Sequence, residues 1–266
     1  MPRRKDAEWR SGARPKRPRA RAARRYMLSP AKAACYALQA AAMVLLASVD
    51  EFGGALALGL FAGLCYARQN LLLVAPVYAL SVIAFAPSPW TLLYVAVPVV
   101  VFAAVYFAFY RLRRNVHIVF TTLAAAAAEI PHAVLSVLFG GSLTAGILSF
   151  VLAGAFAFCA QTVCYAVLLR GVKTRFTPDE LIAGGLAVIA FAYAAAGAEV
   201  QGFVLVFALV PFFSMLFVYG VSGAAAFAFA VLAGAGGTLA FGSLDFLAFA
   251  ALGAAAAAAL VPFTKW

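Results

Sequence analysis

The side chains best suited to proton or ion chemistry are Glu129 and His132, in the apolar run "AAAAAEIPHAV". They are three residues apart, so a helix would hold them on one side, around Pro131. An ionisable side chain at membrane depth is a candidate for ion transport or proton relay, because burying its charge costs at least about 2.5 kcal/mol. Two structural explanations compete with that function. Either the pair lies near the outer surface, or a neutral Glu129 hydrogen-bonds His132 and the backbone that the proline frees.

A second group of charged residues lies in "LLRGVKTRFTPDELIAGG", residues 168–185. It is the only dense cluster of charge between residue 115 and the C-terminus, and it contains Arg170, Lys173, Arg175, Asp179 and Glu180. The basic half is typical of a loop that stays in the cytoplasm, since Lys and Arg in short loops set the orientation of membrane proteins.

The acidic half of the same stretch predicts the start of a helix. The letters "TPDE" place Thr177 at the N-cap, Pro178 at the first helical position and Glu180 at the third. Thr and Glu at these positions form a capping box, which satisfies backbone donors that would otherwise lack partners. Asp179 and Glu180 also lie at the positive end of the helix dipole. Structure alone therefore accounts for these residues, without a ligand.

The sequence contains no other pattern typical of an active site. It has no HExxH motif, no cluster of carboxylates and no phosphate-binding glycine loop. The four cysteines lack CxxC spacing and lie in apolar runs, which favours buried small hydrophobic side chains over a metal or redox site. We therefore expect no catalytic residues, no metal ligands and no cofactor in this chain, and we do not expect it to be an enzyme.

The composition predicts the elements that must position these residues. The chain is 66% hydrophobic and 11% charged, with a mean hydropathy of +1.01, whereas soluble domains are roughly 45–50% apolar and about 25% charged. A helix needs about 20 apolar residues to cross the hydrocarbon core of a bilayer. Alternating patterns of a membrane β-barrel are missing. The predicted fold class is an all-α, polytopic integral membrane helical bundle.

We predict about ten transmembrane helices joined by short connections, so that neighbouring helices pack antiparallel. The second span is short, and Pro131 should kink the fifth by removing a backbone donor; a re-entrant break there would change the count. The predicted spans are residues 31–49, 53–67, 71–86, 91–110, 116–139, 143–169, 180–197, 201–219, 222–239 and 243–263.

The distribution of basic residues predicts the orientation. With the N-terminus in the cytoplasm, the even-numbered connections are cytoplasmic, and the odd-numbered, external ones contain no Lys or Arg. Both termini are then cytoplasmic, in a multi-pass protein of the bacterial cell membrane. The basic residues of the even-numbered connections are Arg68, Arg111, Arg113, Arg114, Arg170, Lys173 and Arg175.

The N-terminal tail differs from the rest of the chain. Residues 1–28 contain eleven of the twenty Lys and Arg, and such a segment cannot bury enough apolar surface to fold alone. We predict a disordered cytoplasmic tail that contacts anionic lipid headgroups, followed by a multi-span membrane domain over residues 29–266. Binding to nucleic acid is not expected, because the tail lacks interleaved aromatic residues.

Small residues predict how the helices pack. Gly59 and Gly63 have the GxxxG spacing, and "AGAGG" and "LGAAAAAAL" supply further small faces. In lipid there is no hydrophobic drive between helices, so close approach across small residues provides the packing energy. A compact bundle is expected.

The order of features in the second half resembles a known family. A basic loop and an acidic pair opening a helix ("TRFTPDELIAGGLAVIAF") are followed by "AAAGAEVQG", a Phe-rich span and "YGVSGAAAFAFAVLAGAGG". This pattern, over about residues 165–255, is similar to the membrane half of the stage II sporulation protein E family. The general layout, a basic N-terminal segment before about ten spans, also resembles that family over residues 30–263.

The resemblance implies a place in the cell. Members of that family are membrane-bound serine phosphatases of endospore-forming bacteria. They collect at the polar division septum and dephosphorylate an anti-anti-sigma factor, which releases the forespore sigma factor. This chain ends after "ALVPFTKW", where the family continues into a manganese-dependent phosphatase domain. The resemblance therefore implies a membrane-anchoring and assembly module, as a fragment, a truncated reading frame or a stand-alone relative, that forms homo-oligomers or binds division and sporulation proteins.

Two other functions stay open at this stage. In the first, the chain is a small-molecule transporter or its membrane substrate-binding subunit, with Glu129 and His132 in the pathway. In the second, it shapes division or envelope assembly without binding a small molecule.

Overall fold

The structure is a computed structural model that describes residues 30–50, 52–85, 89–113, 117–138, 142–170, 176–220 and 222–264. The chain divides into two units, residues 1–38 and 39–266. The first unit is described from residue 30 onward, where the first helix begins. The predicted basic tail lies outside the described residues, as do Lys173 and Arg175 of the charged cluster.

Within these ranges the chain forms ten helices and one short β-hairpin. The last turn of α6 continues as a π-helical turn, Tyr165–Leu169. The bounds are α1 Pro30–Ala47, α2 Gly53–Tyr66, α3 Leu71–Ala84, α4 Pro89–Arg113, α5 Ile118–Leu138, α6 Leu143–Cys164, α7 Pro178–Gly197, β1 Glu199–Val200, β2 Phe203–Val204, α8 Val206–Gly220, α9 Gly223–Phe241 and α10 Asp245–Thr264.

The helical fold class is confirmed, because the described residues are mostly helical and each of the ten predicted segments overlaps one helix. Among the described residues, three helices are long and apolar enough to cross a membrane: Leu143–Leu169, Pro178–Gly197 and Gly223–Phe241. The remaining helices are apolar but have shorter described apolar stretches. Helix α5 passes through Pro131 without interruption, so the fifth predicted segment is one continuous helix.

The predicted start of the eighth span is wrong. Residues 199–204, of which 201–204 were assigned to that helix, form the hairpin, and α8 begins at Val206. Gln201 and Gly202 have φ values of 53° and 80°. Positive φ at both central residues is the geometry of a type I′ turn, whose twist matches that of the two flanking strands. The local backbone therefore closes a hairpin where the apolar composition predicted a helix.

Helices α2 and α6 pack through the predicted glycines. Gly59 lies against Ala157 and Gly63 against Ala160, where an added Cβ would come within 2.9 Å and 2.8 Å of backbone atoms. Residue numbers rise together along both helices, so the two helices run parallel. The GxxxG spacing thus marks a real contact, because only glycine lets the two backbones come this close.

Helices α5 and α6 pack in the opposite sense. Gly154 lies against Ala126 and Gly146 against Ala133, so residue numbers rise along one helix as they fall along the other. This antiparallel arrangement of consecutive helices is the one predicted from the short connection between them. The core formed here is completed by aromatic rings on α2, α3 and α4, with Phe61 5.1 Å from Tyr78 and 5.5 Å from Phe102 between ring centroids.

A second core joins α7 to α10. Gly185 lies against Leu232 and Gly236 against Ala192, so α7 and α9 run parallel. Helices α9 and α10 are antiparallel, with Gly237 against the ring of Phe246. The buried side chains of this core are mainly alanines, with Val206, Val210 and Phe246. Close backbone approach holds this region together, as expected for helices rich in small residues.

Candidate functional site

The Glu129 and His132 side chains form a direct contact on one face of α5. His132 Nδ1 lies 3.1 Å from Glu129 Oε2. Glu129 is 3% exposed, whereas the His132 side chain is 31% exposed. The helix positions both groups, because residues three apart in a helix are neighbours on its surface. The sequence therefore paired these residues correctly, and the carboxyl group is the buried partner.

Glu129 lies near the middle of its helix. It is the twelfth residue of the 21 in α5, which places it about 16 Å along the axis from Ile118 and about 14 Å from Leu138, at 1.5 Å per residue. Tyr78 of α3 is 1% exposed and close enough to interact electrostatically with the carboxyl group. Glu129 is thus buried, away from both ends of α5.

This arrangement can hold and exchange a proton. The pair has no net charge either as a carboxylate with an imidazolium or as a carboxylic acid with a neutral imidazole, and the two forms differ by one proton moving between Oε2 and Nδ1. Neutrality lowers the cost of burial.

A second polar contact lies on the same face of α5, nearer its start. Gln161 of α6, which is fully buried, donates from Nε2 to Thr122 Oγ1 at 3.3 Å. The Thr122 hydroxyl donates to the Ile118 carbonyl at 2.9 Å, so it can only accept from Gln161. Gln161 Oε1 is buried without a hydrogen-bond partner among the described residues. Gln161 thus joins α5 to α6 by a hydrogen bond and keeps an unsatisfied acceptor that the sequence did not reveal.

The charged cluster forms a clamp between α6 and α7. Arg170 Nη1 lies 2.7 Å from Glu180 Oε1, and Nη2 donates to Oε2 at 2.8 Å. Two parallel contacts of this kind fix the geometry of a guanidinium against a carboxylate. The predicted capping box is also present, since Thr177 Oγ1 accepts from the Glu180 amide and the Glu180 carboxylate accepts from the Thr177 amide at 2.9 Å. Asp179 is exposed.

The π-helical turn at the end of α6 positions Arg170 for this clamp. The Arg170 amide donates to the Tyr165 carbonyl at 3.0 Å, five residues back. A turn with this wider spacing rotates the following residue relative to a regular helix. The sequence analysis did not predict this ion pair. The only sequence signal for it was a basic residue at the end of one helix, shortly before an acidic residue at the start of the next.

The described residues offer few groups for metal binding or thiol chemistry. They contain no group of three or more His, Cys, Asp or Glu side chains placed to hold a metal ion. Cys65, Cys159 and Cys164 are buried, and Cys35 is half-buried. The polar pair on α5 and the clamp between α6 and α7 are therefore the two candidate sites. No protein-family model matches this chain, and neither a curated protein nor a solved structure is significantly similar to it.

Proposed function

We propose that the chain is a multi-pass membrane domain of ten crossing helices, with both termini in the cytoplasm, that anchors and assembles a cytoplasmic partner. The observation that carries this proposal is the apolar perimeter. Leu252, Leu239, Leu80, Val100 and Ile182 are 64% to 71% exposed. Water-soluble monomers rarely expose contiguous apolar patches larger than a few hundred Å², so a bilayer is the medium that suits this surface.

The directions of the packed helices support the crossing pattern. Even-numbered α2 and α6 are parallel, odd-numbered α7 and α9 are parallel, and the consecutive pairs α5–α6 and α9–α10 are antiparallel. Strict alternation requires each of these relations. With strict alternation, every even-numbered connection lies on one side, together with Arg68 and Arg170. The odd-numbered connections lie on the other side, together with Asp50, Glu199 and Asp245.

The use of charge supports an anchoring role. Arg170, Glu180 and Thr177 satisfy one another at the junction of α6 and α7, so these groups serve structure. Close contacts of glycine with alanine recur at Gly59, Gly63 and Gly146, which suits a rigid scaffold. The resemblance to the membrane half of the sporulation serine phosphatase suggests the partner class, namely division-septum and sporulation proteins or a second copy of the chain.

Reporter fusions test the crossing pattern. A fluorescent protein that matures only in the cytoplasm is fused after Gly220, after Gly242 or after Trp266. We expect fluorescence from the first and third fusions and none from the second, because the eighth connection and the C-terminus are cytoplasmic and the ninth connection is external. Alkaline phosphatase at the same three positions should give the reverse pattern. An external C-terminus would refute the even number of crossings.

Localisation tests the anchoring role. In sporulating cells of an endospore-forming bacterium, the Trp266 fusion is expected to concentrate at the polar septum, since the resembled family acts there. A chain lacking residues 1–28 controls for attraction of the basic tail to anionic lipid. Uniform fluorescence around the whole membrane in both strains would contradict localisation at the septum. The proposal of a multi-pass membrane domain would not be affected.

Small-molecule transport is the second candidate, and the buried carboxyl group of Glu129 favours it. Buried ionisable residues in membrane helices commonly mark ion or substrate pathways. We expect Glu129→Gln to leave folding and membrane localisation intact, because the amide keeps a hydrogen-bond acceptor toward His132. Loss of ion-coupled or substrate-coupled flux in proteoliposomes made with this variant, compared with the unchanged protein, would place transport ahead of anchoring.

A further inference from the structure

The hairpin between α7 and α8 has two chemically different faces. Its cross-strand pairs are Glu199 with Val204 and Val200 with Phe203. Successive side chains of a strand point to opposite faces, and directly paired residues share one. Val200 and Phe203 therefore lie on one face, and Glu199 and Val204 on the other.

The face with the larger apolar side chains points away from the bundle. Val204 packs against the core of α7 to α10, whereas Val200 and Phe203 are 54% and 53% exposed. A hairpin that only connected two helices in water would be expected to present polar residues on this face. Something apolar must cover it.

Other exposed apolar residues lie at the same end of this region. Phe207 at the start of α8 lies 5.9 Å from Phe241 at the end of α9 and 5.3 Å from Phe246 at the start of α10, between ring centroids. The hairpin therefore lies beside the turn between α9 and α10, where Leu244 is 72% exposed. We call Val200, Phe203 and Leu244 the apolar rim.

The length of α8 explains why a hairpin belongs there. Its 15 residues extend about 22 Å at 1.5 Å per residue, which is about 8 Å less than the hydrocarbon core of a bilayer. One strand of two residues adds about 7 Å at 3.3 Å per residue. Neighbouring α7 and α10 have 20 residues each, about 30 Å, so α8 with its hairpin matches their length.

The backbone of the hairpin is suited to the membrane boundary. Its two strands pair with each other, and the Leu205 amide donates to the Ala198 carbonyl at 3.0 Å. Non-helical backbone is tolerated near hydrocarbon where its polar groups find partners inside the protein. The inward-facing peptide groups of the hairpin are therefore paired within the protein, and its outward-facing ones can meet the water and headgroups of the interface.

We propose that the apolar rim is a lipid-contact site that inserts into the outer-leaflet interface and sets the depth of α8. Its occupant is phospholipid at the boundary of headgroups and acyl chains. The proposal rests on the multi-pass arrangement, which places this end of α7 to α10 on the outer side. Glu199 lies on the opposite face of the hairpin, turned away from this lipid.

Photocrosslinking in proteoliposomes tests the proposal. The photoreactive residue 4-benzoylphenylalanine, which abstracts hydrogen from nearby C–H bonds, replaces Phe203, Val200 or Glu199 in separate full-length chains. Under illumination we expect the Phe203 and Val200 variants to form a phospholipid adduct. The Glu199 variant should form much less of it. Mass spectrometry of the protein identifies the adduct. The Phe203 and Glu199 variants are the matched pair, because they lie on opposite faces of the same hairpin.

Each other outcome overturns the proposal. A crosslink from Phe203 to a second copy of the chain would make the rim a protein interface, and absence of any adduct would make it a water-exposed surface. Equal lipid adducts at Phe203 and Glu199 would show that both faces of the hairpin contact lipid to the same extent. The same probe at Leu186, half-exposed on α7, separates the two proposals: a missing lipid adduct there contradicts the membrane domain itself, whereas an adduct there and none at Phe203 contradicts only the rim.

Discussion

The helices before residue 171 and those after residue 175 differ in what they bury. Within the described part of the first region, α2 to α6, the core contains polar side chains from three helices: Ser81, Thr121, Glu129, Ser149 and Gln161. Within the described part of the second region, α7 to α10, the only buried polar side chain is Ser214. Its hydroxyl donates to the Val210 carbonyl of its own helix at 2.7 Å, so it joins no two elements.

This difference separates two ways of holding membrane helices together. The second region depends on close contact between glycine, alanine and phenylalanine, which needs shape and no polar partners. The first region has similar contacts at Gly59 and Gly63, but it also buries polar groups that must be satisfied. Among the described residues, buried polar side chains thus lie mainly in the first region, and we expect the second to act as a packing module.

The largest expected effect tests whether packing alone holds the second region. We predict that Gly236→Ala destabilises the protein by about 2 kcal/mol or more, because the added methyl group would overlap the Ile189 carbonyl and the Ala192 side chain and must push α7 and α9 apart. The free energy of unfolding, measured by detergent titration in mixed micelles, gives the loss.

The matched control is Gly253→Ala in α10. An added Cβ there meets nothing within 4 Å, and replacing a helical glycine by alanine stabilises a helix by roughly 0.5–1 kcal/mol. The two variants make the same chemical change with opposite expected signs. If Gly236→Ala were as stable as Gly253→Ala, the close contact of α7 with α9 would not hold the second region together.

The next effect concerns the junction between the two regions. Thr177→Ala removes the hydroxyl that accepts from the Glu180 amide and leaves the Arg170 clamp in place. Loss of an N-cap costs about 1 kcal/mol. The same detergent titration should show this decrease, together with faster hydrogen exchange at the first amides of α7, because those donors lose their partner.

Asp179→Ala is the control for Thr177→Ala. Asp179 is exposed and lies one residue from Glu180, so its removal changes the local charge without touching the cap. We expect its effect to be a few tenths of a kcal/mol. Equal losses in the two variants would show that charge near the helix end matters as much as the capping hydrogen bond, and would contradict a junction held by the capping box.

The helices could be predicted because long apolar runs interrupted by charge, Gly and Pro leave few alternatives in a chain of this composition. The capping box could be predicted for the same local reason, since Thr177 and Glu180 interact within one turn. The start of α8 could not. "EVQGFV" is mostly apolar, and the positive φ of Gln201 has no strong signal in a residue type that is not Asn, Asp or Gly.

Contacts between helices account for most of what the sequence left open. The ion pair of Arg170 with Glu180 depends on the π-helical turn at residues 165–169, which no local pattern predicted. The choice of Thr122 as the partner of Gln161 depends on the rotation of α5 against α6. Glu129 and His132 were paired from spacing alone, but the burial of Glu129, which is 3% exposed, depends on how α5 packs in the bundle.

The smallest expected effect tests whether the polar core of the first region is needed for stability. We predict that Gln161→Met changes the free energy of unfolding by less than about 1 kcal/mol, because it removes one hydrogen bond together with an acceptor that lacks a partner in the described structure. A typical hydrogen bond contributes about 1 kcal/mol net, and a buried unsatisfied acceptor costs about 1–3 kcal/mol. The two contributions have opposite signs and nearly cancel.

Thr122→Val is the comparison that gives this result its meaning. It leaves the Gln161 amide nitrogen without its acceptor as well, so it should cost about 1 kcal/mol or more, although valine matches threonine in shape. A Gln161→Met loss as large as that of Thr122→Val would mean that Gln161 Oε1 gains a favourable partner in the membrane, such as a buried water. The polar groups of the first region would then stabilise it. The two regions would differ because the buried polar groups of the first have hydrogen-bond partners, and not because the first merely tolerates unsatisfied ones.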